Sequence, residues 1–130
     1  MPLIEEDVAA PEVRAVYDDI KATRRVDRVN NFWKALAAHP PTLVRTWESV
    51  KEVMAPGALD PLVKELVYIA VSVTNGCEYC IASHTAAAWA KGMTDEQHGE
   101  LLAIVGMANE TNALANGFAV PVDAAFTTAS

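Results

Sequence analysis

Both cysteines of the chain and one of its three histidines fall inside the stretch NGCEYCIASH, from Asn75 to His84. The side chains with chemistry in them are Cys77, Cys80 and His84. Such a trio can be a redox dithiol with its base, part of a metal site, a structural disulfide, or a coincidence of composition. On a helix at about 100° per residue, Cys80 and His84 are i,i+4 neighbours, and Cys77 lies within roughly 60° of the same face. The Asn75-Gly76 break puts both thiols in the first turn of a helix. Unpaired backbone N–H groups and the helix dipole favour an anion there. A thiol in that position, close to a base, has a lowered pKa and a larger thiolate fraction. A thiolate attacks peroxides and disulfides. Peroxide converts it to sulfenic acid, and a second thiol two residues away can resolve that to a disulfide.

Upstream of the pair stands Glu65, within LVKELVYIAV. This segment is apolar nearly all round, the pattern of a buried helix. Leu62, Ile69 and Val73 fall within about 80° of Glu65 on the wheel. A carboxyl in that setting has two fates. Desolvated, its pKa rises and it becomes a proton shuttle. Otherwise it reaches solvent or pairs with a lysine at an exposed edge.

The elements that must position these groups read as helices. Pro11 opens a first helix through Val13, Val16, Tyr17 and Ile20. Thr23 to Asn31 is a polar connection. A second helix carries Phe32, Trp33, Leu36 and Ala37 and stops before the His39-Pro40-Pro41 run. The aromatic residues Phe32, Trp33 and Trp47 read as core. A third helix follows Pro41, with Leu43, Val44, Trp47, Val50 and Val53, and ends near Ala55 to Gly57. Asp60 as N-cap and Pro61 in the first turn open the fourth, which runs to Asn75-Gly76. The fifth begins at or near Cys77, runs to Lys91 and stops at Gly92. Thr94 and Gln97 form a capping-box pattern that opens a sixth helix through Leu101, Leu102 and Val105. A seventh covers Asn109 to Gly117, and VPVDAAF is a less regular tail.

At 130 residues and 52% hydrophobic content, the chain reads as one all-α domain over residues 1–130, large enough to bury a core. A net charge of −7 and a pI near 4.8 argue against nucleic-acid and anionic-membrane partners. No apolar stretch approaches the roughly 18 residues of a membrane span, and MPLIEEDVAA lacks the pattern of a signal peptide. The expectation is a cytoplasmic protein. In that compartment a close cysteine pair is catalytic or metal-binding before it is a staple.

Glu65, Cys77, Cys80 and His84 together match E-x11-C-x-x-C-x3-H, and in this the chain resembles the alkylhydroperoxidase D-like (AhpD-like) proteins of the carboxymuconolactone decarboxylase superfamily. VNNFWKALAAHPPTLVRTWE, the core from Gly57 to Gln97 and GFAVPVDAAF extend the likeness over nearly the whole chain. The resemblance implies an all-helical fold assembling as homotrimers or homohexamers. It implies a thiol-dependent peroxidase acting on hydroperoxides, with no bound cofactor and an external protein or small-molecule dithiol as reductant. Carried over by position, Cys80 attacks the peroxide, and Cys77, the more accessible partner, closes the disulfide and meets the reductant. His84 helps to deprotonate Cys80, and Glu65 relays the proton. One position departs from the pattern. The best-described members have a histidine directly before the second cysteine, where this chain has Tyr79, whose phenol is a poor base near pH 7.

Several rival readings use the same residues. Cys77, Cys80, His84 and Glu65 could form a tetrahedral zinc site, but structural zinc sites usually draw on separated ligand pairs. A redox sensor would need no sustained turnover. Muconolactone decarboxylation has no need of a dithiol. A thioredoxin-type fold lacks support, since strands and helices do not alternate. His39 and His98 have no partner at motif spacing and read as non-catalytic.

Overall fold

The computed structural model describes residues 2–127; Met1 and residues 128–130, the extremes of the one-domain reading, lie outside them. The described residues are helical and contain no strand, as the all-α expectation requires. They divide between Ala55 and Pro56 into two compact units.

The first unit contains a short 3-10 turn, Glu6–Val8, then α1 (Pro11–Arg24), α2 (Asn31–Leu36) and α3 (Pro40–Met54). Proline stands in the first turn of α1 and of α3, where a missing N–H costs nothing. Val13, Tyr17 and Ile20 on α1 pack with Trp33, Leu43 and Trp47 into one buried cluster. Trp33 meets Trp47 edge to face, with ring centroids 5.4 Å apart. The Arg24 guanidinium lies 5.3 Å from the Trp47 ring centroid, within cation–π range. Phe32, expected in the core, is half exposed and packs its edge on Trp33. It precedes Trp33 in α2, and neighbouring residues on a helix cannot face the same side.

The second unit contains α4 (Pro61–Asn75), α5 (Glu78–Ala90), α6 (Asp95–Gly117) and α7 (Ala124–Thr127). The hairpin of α4 and α5 is its principal packing, and α6 lies against α4. Ile69, Ala88 and Met93 form its buried cluster, with Leu62, Leu66, Val73 and Leu101 against it.

Besides Phe32, the sequence expectations need three corrections. The sixth and seventh helices are one helix, α6. Gly106 costs only about 1 kcal/mol in a helix interior, and Asn109 bonds back to the Val105 carbonyl at 2.8 Å, so neither breaks it. The tail contains the short helix α7. Finally, α4 is not buried all round. Val63, Val67 and Val71, at i, i+4 and i+8, are 39%, 52% and 54% exposed. They lie on the side of α4 opposite Glu65, while α5 and α6 take up the other side.

Candidate functional site

The turn between α4 and α5 determines where the two sulfurs lie. Gly76 takes a left-handed conformation, φ 70°, which glycine adopts without a Cβ penalty. Its N–H donates to the Val73 carbonyl at 3.2 Å, and the Cys77 N–H donates to the Ser72 carbonyl at 3.0 Å. This is the paired closure of a Schellman motif. Cys77 also opens the next helix: it is the N-cap of α5, and its Sγ accepts from the Cys80 N–H at 3.2 Å. One residue therefore ends α4 and begins α5. Cys77 has extended backbone, φ −85° and ψ 92°, so the helical wheel drawn from the sequence does not reach it. The cap brings it to Cys80 instead. The two are joined in a disulfide, with Cα atoms 5.3 Å apart, and both are partly buried.

Cys80 stands in the first turn of α5, and His84 follows one turn on. The far end of α5 closes with a second Schellman motif. Gly92, at φ 93°, donates to the Trp89 carbonyl, and Met93 donates to that of Ala88, both at 3.0 Å. Met93 and Ala88 also share a buried cluster, the apolar contact that usually accompanies this cap.

Glu65 is buried, only 5% exposed, on the face of α4 that meets α5. Its Oε2 lies 2.8 Å from His84 Nδ1, and its Oε1 lies 3.4 Å from Lys91 Nζ. Burial is the largest single influence on this carboxyl and pushes its pKa up. The hydrogen bond and charge of His84, with the charge and hydrogen bond of Lys91, outweigh it, and the carboxyl ends below its ordinary value of 4.5. Of the two fates weighed from the sequence, pairing prevails, and the raised pKa expected from desolvation is corrected. An ionised carboxylate only accepts, so His84 Nδ1 must carry the shared hydrogen. In the neutral ring, Nε2 is then left as the free acceptor, the atom that can take a proton from a thiol.

Two contributors to this arrangement escaped the sequence reading. Tyr68 stacks on the His84 ring, with centroids 3.6 Å apart and planes at 19°. Lys91 supplies the second partner of Glu65. Both have a phase signal. Tyr68 is i+3 from Glu65 on α4, and Lys91 is i+11 from Cys80, about 20° from it on the α5 wheel. Tyr79, which replaces the histidine of the resembled pattern, is exposed. His39 occupies the N-cap position of α3 and its Nδ1 lies 2.7 Å from the Thr42 hydroxyl, and His98 lies edge to face with Trp89. Of the four zinc ligands considered from the sequence, the two sulfurs are here bonded to each other. Among the described residues, no cluster of three or more His, Cys, Asp or Glu is arranged to hold a metal ion. No helix among them is long and apolar enough to cross a membrane.

The class of protein this defines is a helical domain bearing a cysteine pair at a helix head, backed by a buried Glu–His pair. Comparison with known proteins narrows it. Residues 41–123 match the model of the carboxymuconolactone decarboxylase family. An alkyl hydroperoxide reductase AhpD from Anaeromyxobacter sp. (strain K) is 32% identical, over 92% of this chain and 67% of that protein. An uncharacterised protein from Cupriavidus necator is 35% identical over 81 residues, 62% of this chain and 72% of its own length. The crystal structure of an alkylhydroperoxidase AhpD core from Rhodospirillum rubrum superposes with a TM-score of 0.95 at 55% identity, over 99% of this chain and 97% of that one. The chain belongs to the carboxymuconolactone decarboxylase family and is AhpD-like within it.

Proposed function

We propose that the protein is a thiol-dependent peroxidase for organic hydroperoxides, cycling its cysteine pair between dithiol and disulfide. The observation that carries this is the Cys77–Cys80 disulfide at the head of α5, with His84, paired to buried Glu65, one turn beyond Cys80. The names of the AhpD relatives support an alkyl hydroperoxide as substrate.

His84 Nε2 takes the proton of the Cys80 thiol, and the thiolate attacks the terminal peroxide oxygen. The O–O bond breaks, Cys80 becomes sulfenic acid, and the alkoxide leaves as alcohol with the proton from His84. The Cys77 thiol then displaces water from the sulfenic acid and closes the disulfide. An external dithiol reduces that disulfide by exchange and is itself oxidised, so two electrons pass from dithiol to peroxide. No bound cofactor is required. Glu65, held as a carboxylate, orients His84 and does not need to carry the proton itself.

A second assignment of roles has one observation behind it. The Cys80 N–H points at Cys77 Sγ, which would stabilise a thiolate on Cys77. The two are separated by treating reduced Cys80→Ser and Cys77→Ser proteins with cumene hydroperoxide. The proposal expects no peroxide loss with Cys80→Ser, and a trappable sulfenic acid on Cys80 with Cys77→Ser. The reverse pattern would exchange the roles. If reduced wild-type protein consumes no peroxide, the activity is disulfide exchange or redox sensing instead.

The same reading includes a homo-oligomer, trimeric or hexameric. It is supported by the uncovered valine stripe of α4 and by exposed Ile104 and Met107 on α6. Val67→Asp should lower the mass seen by analytical ultracentrifugation and leave helical content unchanged. A wild type that sediments as a monomer would remove this part of the proposal.

A further inference from the structure

We infer that Lys91 is a positioning residue of this site: it engages the oxygen of Glu65 that His84 leaves free, and so fixes the carboxylate that orients the His84 ring. The inference rests on reading His84 as the base of the dithiol.

A buried carboxylate needs partners on both oxygens. Glu65 has one on each, His84 Nδ1 at 2.8 Å and Lys91 Nζ at 3.4 Å. A carboxylate held at one oxygen can rotate about its last bond and release the ring. Held at both, it presents Oε2 to His84 in one orientation. Tyr68 restrains the same ring from its face, so His84 is constrained along one edge and on one side.

The position of Lys91 follows from the sequence AWAKGM. The Schellman closure at Gly92 and Met93 places Lys91 at the end of α5, two turns beyond His84 and on the same face. Its stem reaches back along that face to Glu65, and its side chain is 41% exposed. The bland reading is that Lys91 serves only the helix end, where a cation favours the last carbonyls. Contact with a carboxylate on a different helix goes beyond that role. Among the described residues, the charges acting on Glu65 are those of His84 and Lys91. None comes from α6, which also packs on α4, and His98 of α6 is engaged with Trp89.

The test uses full-length reduced protein labelled with ¹⁵N-histidine, with wild type, Lys91→Met and Lys91→Arg compared by NMR over pH 4–9. Wild type should show the His84 tautomer with Nδ1 protonated. Lys91→Met should raise the pH at which the Glu65–His84 pair takes up its proton, by roughly half a unit, and should mix the tautomers. Lys91→Arg, which keeps the charge, should restore the wild-type pattern. A Lys91 that serves only the helix end would lower the melting temperature and leave both signatures in place. That result overturns the inference. If Lys91→Met does not fold, Lys91→Gln removes the same charge and is read in the same way. None of these signals involves peroxide. A wild type inert to peroxide would therefore sink the peroxidase reading and leave this inference decided by the His84 resonances.

Discussion

The two units of the chain differ in the polar groups they bury. The first buries three of its four aromatic residues and leaves its charges outside. Tyr17, Trp33 and Trp47 are enclosed, while Lys21–Glu6, Lys34–Glu5 and Lys51–Asp19 pair at 2.7–2.8 Å across partly exposed surface. The polar ends of Tyr17 and Trp47 are bonded too. The Tyr17 hydroxyl donates to the Ile4 carbonyl at 2.7 Å and Trp47 Nε1–H to Asp19 at 2.8 Å. The second unit buries Glu65 and Ser72 and exposes Val67, Val71, Ile104 and Met107. An arrangement that encloses a carboxylate and leaves valines uncovered is poor for stability alone. It is what the proposed dithiol site and the proposed assembly would require. On the proposed function, the first unit serves packing and the second serves chemistry, and substitutions should separate the two.

The largest loss of stability should come from the first unit. Trp47→Ala removes a side chain that is 2% exposed, its contact with Trp33 and its bond to Asp19. A loss of about 3–5 kcal/mol is expected in urea denaturation. A loss under about 1 kcal/mol would mean that this cluster collapses around the gap, and the contrast between units would fail on its packing side.

Glu65→Gln should cost less stability and more chemistry. The amide oxygen can accept from only one of His84 and Lys91, and its NH2 faces the other, so the expected loss is about 1–2 kcal/mol. The amide carries no charge to fix the Nδ1–H form of His84, so peroxide consumption should slow by about tenfold or more. An unchanged rate would remove Glu65 from the mechanism. The same variant isolates a pH effect. The folded-state pKa of Glu65 is depressed, so its contribution to stability is present above the unfolded value of 4.5 and is lost as pH falls through the lower folded value. Glu6 and Asp19 are also depressed, by Lys21 and by Lys51 with Trp47, but they are more exposed and screened. Stability measured between pH 6 and pH 3 should fall less steeply in Glu65→Gln than in wild type. Parallel curves would show that the fold does not depress the pKa of Glu65.

How legible this was in the sequence depended on where the information lies. The helix boundaries at Pro11, Pro61, Gly76, Gly92 and Thr94 could be read because each is fixed by its own few residues. The Thr94–Gln97 capping box, for example, forms with both of its bonds. The four residues of the E-x11-C-x-x-C-x3-H pattern lie together on the α4–α5 hairpin for the same reason, since one turn sets their register. The ionisation of Glu65 was not readable. It depends on His84 first and then on Lys91, 26 positions along the chain, and both come into reach only when α5 packs against α4. The stack of Tyr68 on His84 is likewise a product of that packing. The exposed stripe of α4 was missed because hydropathy alone does not distinguish a face covered within one chain from a face left open.

The smallest effects test the turn itself, and here two glycines of the same unit should respond with opposite signs. A Cβ added at Gly76 would meet nothing within 4 Å, so the whole cost of Gly76→Ala is the left-handed backbone at φ 70°. For an L-residue that is about 1 kcal/mol. A Cβ added at Gly99 also meets nothing, but Gly99 lies within α6 at an ordinary helical φ. Gly99→Ala should therefore stabilise by about 0.5–1 kcal/mol, through helix propensity and a less flexible unfolded chain. Thermal melts of the two variants should move to either side of wild type. Disulfide formation between Cys77 and Cys80 should slow only in Gly76→Ala, because Cys77 completes the closure that Gly76 begins. If Gly76→Ala melts with wild type and closes its disulfide at the same rate, the α4 cap does not position the cysteine pair, and the N-cap geometry of Cys77 alone would have to do so.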